Sequence, residues 1–413
     1  MAKKKKDDSE DNGVDPLDAL FAKETFADPI EMAELQAGYR VFSTGFPHLD
    51  MTMGFRDPIL FNMGAPERSV FESFGDNSSL KTALKENLTI NIIRTDPTFV
   101  VLVMDIEEST ARRWDSYNLT PQEKRRIKHI NCCNGNTDDD LKTFEDACSL
   151  VFEAVKDRRV KAVFIDSVAA IPTQELLMDA NGNTRSLTDN EKMGARATML
   201  GKFIRKFHAV NRCAILWMIN QTTEAITTGF SHPQNARYAK KTTGGRFMEF
   251  ASQIRIEHKV TPIETETDNE LSEAKLLLGW NASFRLMKNK FCNPTSGRTA
   301  KGKFYFSDFT EVGKKFHDSI DGVGFDKTNQ ILMITEYLTR KGFIKPEEGV
   351  EKKAGGNWAI QGHNEKGLLP ALSYIKENPD VKHKLEMLMY DNANNAFSPL
   401  SPKDEEPPIE TIF

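Results

Sequence analysis

Gly75, Lys81 and Thr82 occupy the first, seventh and eighth positions of the pattern G-x-x-x-x-G-K-[ST] within the run Val70 to Leu84, VFESFGDNSSLKTAL. In that pattern backbone N–H groups cradle phosphates, the lysine reaches the outer ones and the hydroxyl ligates magnesium. One position breaks it: Leu80 stands where the second glycine belongs. Three further apolar runs close on polar groups. Val100 to Met104 leads to Asp105, Ile106 and Glu107, Ala162 to Ile165 to Asp166, and Ala214 to Ile219 to Asn220 and Gln221. An aspartate so placed can hold a magnesium ion's water shell beside Thr82, and Glu107 can orient or deprotonate a water that attacks the outer phosphate. Gln221 can touch that phosphate through its amide. Taken singly, an acid at a strand end is just as readily a helix cap or turn former; the order of loop, acid, acid and amide points to a nucleotide site.

These groups work together only if a scaffold brings them to one edge. Val70 to Phe74 reads as a buried strand, Gly75 to Ser79 is small and polar, and Leu80 onward starts a helix. Asp140 to Lys156 and Asn190 to His208 carry helical spacing suited to crossovers between strands. The expected sheet is open and parallel, with ligands bound at the carboxyl ends of its strands. Thr222 to Lys241 is poor in apolar residues and leads into Thr242, Thr243, Gly244 and Gly245, which marks a long functional loop. Strand-like runs resume at Gln253 to His258, Ser283 to Met287 and Gly302 to Phe306, and a small separate unit begins near Phe325. The expected organisation is a charged, disordered tail over 1–14, an amphipathic helical segment over 15–42 that packs on its own core or a neighbouring subunit, a core over 43–324, a small domain over 325–391 and an acidic, disordered tail over 392–413.

The 413 residues carry 55 basic and 60 acidic side chains, a net charge of -5, so any nucleic-acid binding must come from local patches. Five cysteines, Cys132, Cys133, Cys148, Cys213 and Cys292, show no C-x-x-C pairing and read as reduced thiols rather than disulfides or a metal site. No apolar stretch approaches membrane-spanning length, and Lys3 to Lys6 are followed by acids rather than by a signal core. An intracellular location is expected.

The runs VFSTGFPHLD, GDNSSLKTAL, VLVMDIEES, VFIDSVAAI, EKMGARATMLGKFIRKF, LWMINQ, TTGGRFMEFAS and LMKNKFCNP come in the order and approximate spacing of RecA-family strand-exchange proteins. GGNWAIQGHNEKG followed by ALSYIKENPDVKHKLE resembles that family's C-terminal domain. The resemblance spans most of residues 41–390, and FIDSVAAI, TTGG and KNK are its most specific elements. It implies a RecA-like α/β phosphate-loop ATPase core, with a mostly parallel central sheet flanked by helices, a short N-terminal helical segment and a small α+β C-terminal domain. It further implies polymerisation on DNA, with ATP and Mg2+ held between neighbouring subunits. By position, the ATP contacts would be Gly75, Asp76, Asn77, Ser78, Ser79, Leu80, Lys81, Thr82, Ala83, Asp166 and Trp114, the last against adenine. Thr82 and Asp166 would serve the metal, Glu107 would activate water, and Gln221 would sense the γ-phosphate. Lys288 and Lys290, on one face of a strand by alternation, would reach the ATP of the adjacent subunit. DNA contacts would come from residues 174–198, with Met193, Gly194, Arg196 and Thr198, from residues 222–246, with Thr243, Gly244, Gly245 and Arg246, and from Arg205. Such contacts follow the backbone rather than the sequence of DNA.

Two departures bear on rate. Leu80 is tolerable if its backbone is ordinary, and phage-type UvsX members of the family also carry a bulky residue there, which points to a virus-encoded recombinase. Asp76 places a carboxylate in the loop, where it repels phosphate unless turned to solvent, so slow turnover or weak ATP binding is expected. The second loop is longer and more basic than is usual, with Arg237, Lys240 and Lys241. Asp404, Glu405 and Glu406 before the terminal Ile412 and Phe413 resemble the acidic tips by which single-stranded DNA-binding proteins dock on repair partners; a solubilising tail is the plainer reading. The expected function is ATP-dependent homologous recombination: filaments on single-stranded DNA, pairing with homologous double-stranded DNA, strand exchange and DNA-stimulated hydrolysis. Mediator or single-stranded DNA-binding proteins are expected as partners and a membrane is not; the compartment would be the cytoplasm of a bacterium or of a phage-infected host. The alternatives are a DNA coat that binds ATP but hydrolyses it poorly and a hexameric motor, for which TTGG and KNK give no reason.

Overall fold

The computed structural model describes residues 39–56, 61–62, 64–107, 111–130, 143–178, 186, 194–224, 240–264, 277–291, 298–305 and 324–397. Val41–Phe413 form one compact unit, to which every element named below belongs, and Met1–Arg40 the other. The expected N-terminal tail and most of the 15–42 helix, Met193, and the last residues of the acidic tail lie outside the described residues, as do the central stretches of both expected DNA loops.

In chain order the elements that frame the site are α1 (Pro47–Met53), β1 (Val70–Gly75), α2 (Lys81–Thr95), β2 (Val100–Asp105), β3 (Ile127–Ile130), α3 (Phe144–Ala154), β4 (Val160–Asp166), α4 (Ala195–Val210), β5 (Ile215–Glu224), β6 (Lys240–Thr242) and α5 (Gly245–Ala251). They are followed by β7 (Ile254–Glu264), β8 (Leu277–Asn289), β9 (Thr299–Tyr305) and β10 (Gly324–Phe325). A 10-stranded sheet runs β10-β9-β8-β7-β1-β5-β4-β2-β3, with β6 paired to β5 off that path. The strands from β7 through β3 in that order are parallel, while β8, β9, β10 and β6 are antiparallel to their neighbours. The fold is therefore RecA-like α/β, with the open parallel sheet that the alternating runs predict.

Both faces of the sheet are covered, which explains why β1, β2 and β4 read as nearly unbroken apolar runs rather than alternating ones. Against one face, α2 packs Leu84, Leu88 and Ile92 over Phe71 and Trp217, whose rings stack at 4.3 Å and 8°. On the other, α3 and α4 supply Phe144, Phe152, Phe203 and Phe207. Local chemistry sets the helix starts: Thr143 and Asp146 form a reciprocal capping box at α3.

After the sheet come α6 (Lys327–Arg340), a 3-stranded antiparallel sheet of β11 (Val350–Lys352), β12 (Asn357–Ile360) and β13 (His363–Lys366), then α7 (Leu368–Glu377) and α8 (Pro379–Phe397). Ile331, Leu338, Trp358, Ile360, Ile375 and Leu385 gather into a third cluster, the core of this small α+β part. The last helix continues to Phe397, into the stretch expected to be a disordered tail from residue 392. Among the described residues no helix is long and apolar enough to cross a membrane.

Candidate nucleotide site

The site is built on β1. Gly75 closes that strand where no side chain fits, since a Cβ there would stand 2.5 Å from the His258 carbonyl oxygen and 2.9 Å from Ser79 Oγ. The loop then passes through two left-handed residues that are not glycine, Ser78 at φ 59° and Leu80 at φ 65°. Leu80 thus takes the backbone conformation natural to the missing glycine, not the ordinary one expected for a tolerated side chain, at a cost of about 1–2 kcal/mol. Its side chain is 9% exposed and joins the α2-side core, so burial offsets that strain. No side chain caps the start of α2. The N–H groups of its first turn are available to an anion at the positive end of the helix dipole.

Lys81 Nζ folds back onto the loop, donating to the Gly75 carbonyl at 3.0 Å, the Asp76 carbonyl at 2.6 Å and Ser79 Oγ at 3.1 Å. Burial pulls its pKa below the usual lysine range, against the fields of Asp166, Glu107 and Asp76. Thr82 Oγ1 donates to Asp166 Oδ2 at 3.1 Å. Asp76 is exposed, and its Oδ1 accepts from Thr222 Oγ1 at 2.7 Å, which ties the carboxylate to the root of the second loop.

Sheet register brings the remaining groups together. Gly75 pairs with Gln221, and Asp105 with Asp166, so the ends of β1, β5, β4 and β2 share one edge. Glu107 Oε1 accepts from Ser167 Oγ beside Asp166. Gln221 is half-buried, its N–H donating to Asn220 Oδ1 at 2.9 Å. Behind the loop, His258 is fully enclosed. Its Nδ1 faces the Ser79 carbonyl at 3.2 Å and must carry the proton, leaving Nε2 to accept from Ser73 Oγ. Burial, reinforced by Lys81, lowers the His258 pKa to about 3, so the ring stays neutral.

A cavity of about 450 Å³ opens beside the loop, lined by Ser78, Ser79, Leu80, Lys81, Thr82 and Ala83 together with Arg113, Ser116, Tyr117, Trp280 and Phe304. Trp114 is not in its lining. That indole is 5% exposed, packs into the core and donates from Nε1 to His129 Nε2 at 2.8 Å. The aromatic that this segment offers the cavity is Tyr117, held by Glu86: Tyr117 Oη donates to Glu86 Oε2 at 2.6 Å, and Arg113 grips both oxygens of the same carboxylate at 2.7 and 2.9 Å. Sequence position favoured Trp114 because it aligns with the family's stacking residue. The two rings lie three residues apart, Trp114 on the short 3-10 turn Ala111–Ser116 and Tyr117 just past its end, with His129 holding the first ring in the core and the buried Glu86 holding the second at the cavity.

The roots of the two long loops also meet. Gly194, at φ 85°, opens α4, and Gly244, at φ 100°, opens α5. A Cβ on Gly245 would lie 3.6 Å from that of Ala197. Thr198, Arg205, Gly245 and Arg246 are exposed, with the Arg205 guanidinium 5.0 Å over the Phe247 ring. Arg196 turns inward instead, donating to the Ala169 carbonyl at 2.9 Å. The Thr243 carbonyl accepts from Asn220 Nδ2 at 2.7 Å, and Asn220 also donates to the buried Glu72 at 2.9 Å. Arg255 pairs with Glu72 at 2.6 Å and reaches Thr242 Oγ1 at 3.5 Å. Lys288, on β8, and Lys290, just past the strand's end rather than on it, both donate to the Phe250 carbonyl, at 3.1 and 3.3 Å, in the last turn of α5, where a helix dipole favours cations.

Sequence reasoning missed Glu72 and Arg255, Arg113 and Tyr117, His258 and Lys85. One signal was present: Glu72, Lys85 and Glu86 are charged residues inside segments that otherwise read as buried. Thr82 and Asp166 meet as hydroxyl and carboxylate within one hydrogen bond, the hard oxygen donors that magnesium prefers, so the residues present fit that ion.

A strand, a phosphate loop, an uncapped helix and acids at neighbouring strand ends define a phosphate-loop nucleotide-binding α/β protein. Residues 17–308 match the family model described as the RecA N-terminal domain, and the chain belongs to the RecA family. It is 25% identical over 352 residues to Protein RecA of Ureaplasma parvum serovar 3, covering 81% of this chain and 84% of that one. It is 28% identical over 270 residues to Protein RecA of Chlamydia felis, covering 64% and 65%. With Protein RecA of Cytophaga hutchinsonii the identity is 22% over 379 residues, covering 91% and 87%.

Proposed function

We propose that this chain is an ATP-dependent strand-exchange protein that polymerises on single-stranded DNA, pairs it with homologous double-stranded DNA and hydrolyses ATP faster when DNA is bound. The observation that carries the reading is the short polar path from the phosphate-loop strand to the second loop, Glu72 to Asn220 to the Thr243 carbonyl, alongside Asp76 to Thr222. A site that only bound nucleotide has no use for such a path; a site that reports nucleotide to a DNA loop does.

Lys81 contacts the outer phosphates, exchanging its loop carbonyls for phosphate oxygens. Bound magnesium would add charge neutralisation between the phosphates, with Thr82 and Asp166 holding it. Glu107 orients the attacking water and takes its proton, steadied by Ser167. Gln221 meets the γ-phosphate, and the contact passes to β6 through Thr222. Tyr117, with Trp280 and Phe304 across the cavity, receives the base. Lys288 and Lys290 leave the Phe250 carbonyl to reach a neighbouring subunit's ATP. Gly194, Thr198, Arg205, Gly245 and Arg246 follow the DNA backbone. The segment over 15–42 mediates subunit contacts, and mediator or single-stranded DNA-binding proteins are the partners. Leu80 supports a phage-type lineage and slow turnover.

The test is strand exchange between a circular single strand and a homologous linear duplex with ATP and MgCl2, beside a heterologous duplex. Joint molecules with the homologous duplex alone are expected. Filaments that hydrolyse ATP without forming joint molecules would overturn the assignment.

A further inference from the structure

Lys85 is completely buried, and its Nζ lies 2.8 Å from Asp166 Oδ2, itself on a side chain only 3% exposed. The same oxygen accepts from Thr82 at 3.1 Å, so one carboxylate oxygen holds both the hydroxyl and the ammonium. None of the roles given above uses Lys85. It stands one turn beyond Lys81 on α2, among Leu84, Leu88 and Ile92, where an apolar side chain would cover the sheet without bringing a charge out of water. A buried ammonium is tolerated only with a partner, and breaking such a pair strands the remaining charge. Glu107 and Asp105 lie at the same edge, so Asp166 without Lys85 would make the edge strongly negative where a polyphosphate must sit.

We propose that Lys85 is a positioning residue that serves as a resident counter-cation of Asp166: it holds the carboxylate against Thr82 and takes over part of the neutralisation that a divalent cation otherwise supplies. The inference rests on reading this cavity as an ATP site. Its consequence is twofold. The chain retains ATP in the absence of magnesium better than a pocket with an uncompensated aspartate, and it binds magnesium itself less tightly, because the ammonium already occupies one carboxylate oxygen.

The experiment is equilibrium binding of a fluorescent ATP analogue to the full chain, once in EDTA and once against increasing MgCl2. For Lys85→Met, affinity in EDTA should fall on the order of tenfold, while the MgCl2 concentration for half-maximal retention should also fall on the order of tenfold. A packing defect alone would weaken binding under both conditions and would not lower the magnesium requirement. Lys85→Arg keeps the charge and should track the wild type. Lys85→Met with Asp166→Asn removes both charges and should recover binding in EDTA, which keeps the test open if the single variant folds poorly. Parallel or absent shifts in a chain that binds the analogue overturn this proposal alone. A wild-type chain that binds the analogue under neither condition overturns the ATP-site reading and this proposal with it.

Discussion

Around the site three buried acids each have a cation: Asp166 has Lys85, Glu86 has Arg113, and Glu72 has Arg255. At the rim formed by the loop roots, Arg205, Arg246 and Lys290 stand exposed, and among the described residues Lys290 Nζ leans on a backbone carbonyl rather than an acid. The first arrangement pays desolvation in exchange for fixed geometry, while the second adds little to the fold and gains free energy only when a polyanion arrives. Pocket and rim are therefore two solutions to placing charge, one preorganised and one waiting.

The largest expected effect separates them directly. Arg255→Ala strands Glu72 inside β1 and should cost about 3–5 kcal/mol of stability in urea unfolding. Lys290→Ala should stay within about 0.5 kcal/mol. Equal losses would break the comparison.

Acid sharpens it. The folded His258 titrates near 3, against an ordinary value of 6.5. Because the folded value is the lower one, the neutral ring contributes stability that is complete above pH 6.5 and is lost as pH falls toward 3, on the order of a few kcal/mol. Thermal melts of His258→Asn should show a flatter dependence across that window, and an unchanged slope would place the acid sensitivity elsewhere.

Leu80→Gly carries a smaller effect. Glycine relieves the left-handed strain of about 1–2 kcal/mol but forfeits a buried side chain worth about 2–3 kcal/mol. The expected outcome in calorimetry is a chain about 1 kcal/mol less stable that still binds ATP; loss of ATP binding would mean that the leucine shapes the site itself. The smallest change in stability belongs to Lys288→Ala and Lys290→Ala, with turnover in DNA filaments reduced and monomer melting unaltered. Filament turnover that survives both changes contradicts their contact with a neighbouring ATP.

Much of the site was legible because chemistry and periodicity coincided. Lys81, Thr82, Glu107, Asp166 and Gln221 each follow an apolar run, and parallel strands deliver such ends to one edge whatever the loops between them do. Partners set by distant burial were not legible. Tyr117 rather than Trp114 faces the cavity because Glu86, on α2, holds its hydroxyl. Arg255 and Glu72 lie 183 residues apart, and nothing local to either announces the pair. Leu80 was read as needing ordinary backbone angles; its φ of 65° persists because the side chain gains a place in the core. The end of α8 ran past its expected limit because Asn-rich polar residues dilute a helical pattern without stopping it.

The central claim is that nucleotide pocket and DNA rim are one unit, joined through Asp76–Thr222 and Asn220–Thr243. The most direct measurement is the ATP hydrolysis rate of the full chain with and without single-stranded DNA. A rate that rises on adding DNA, with the rise lost in Thr222→Val while ATP still binds, is the predicted result. A rate indifferent to DNA would contradict the account.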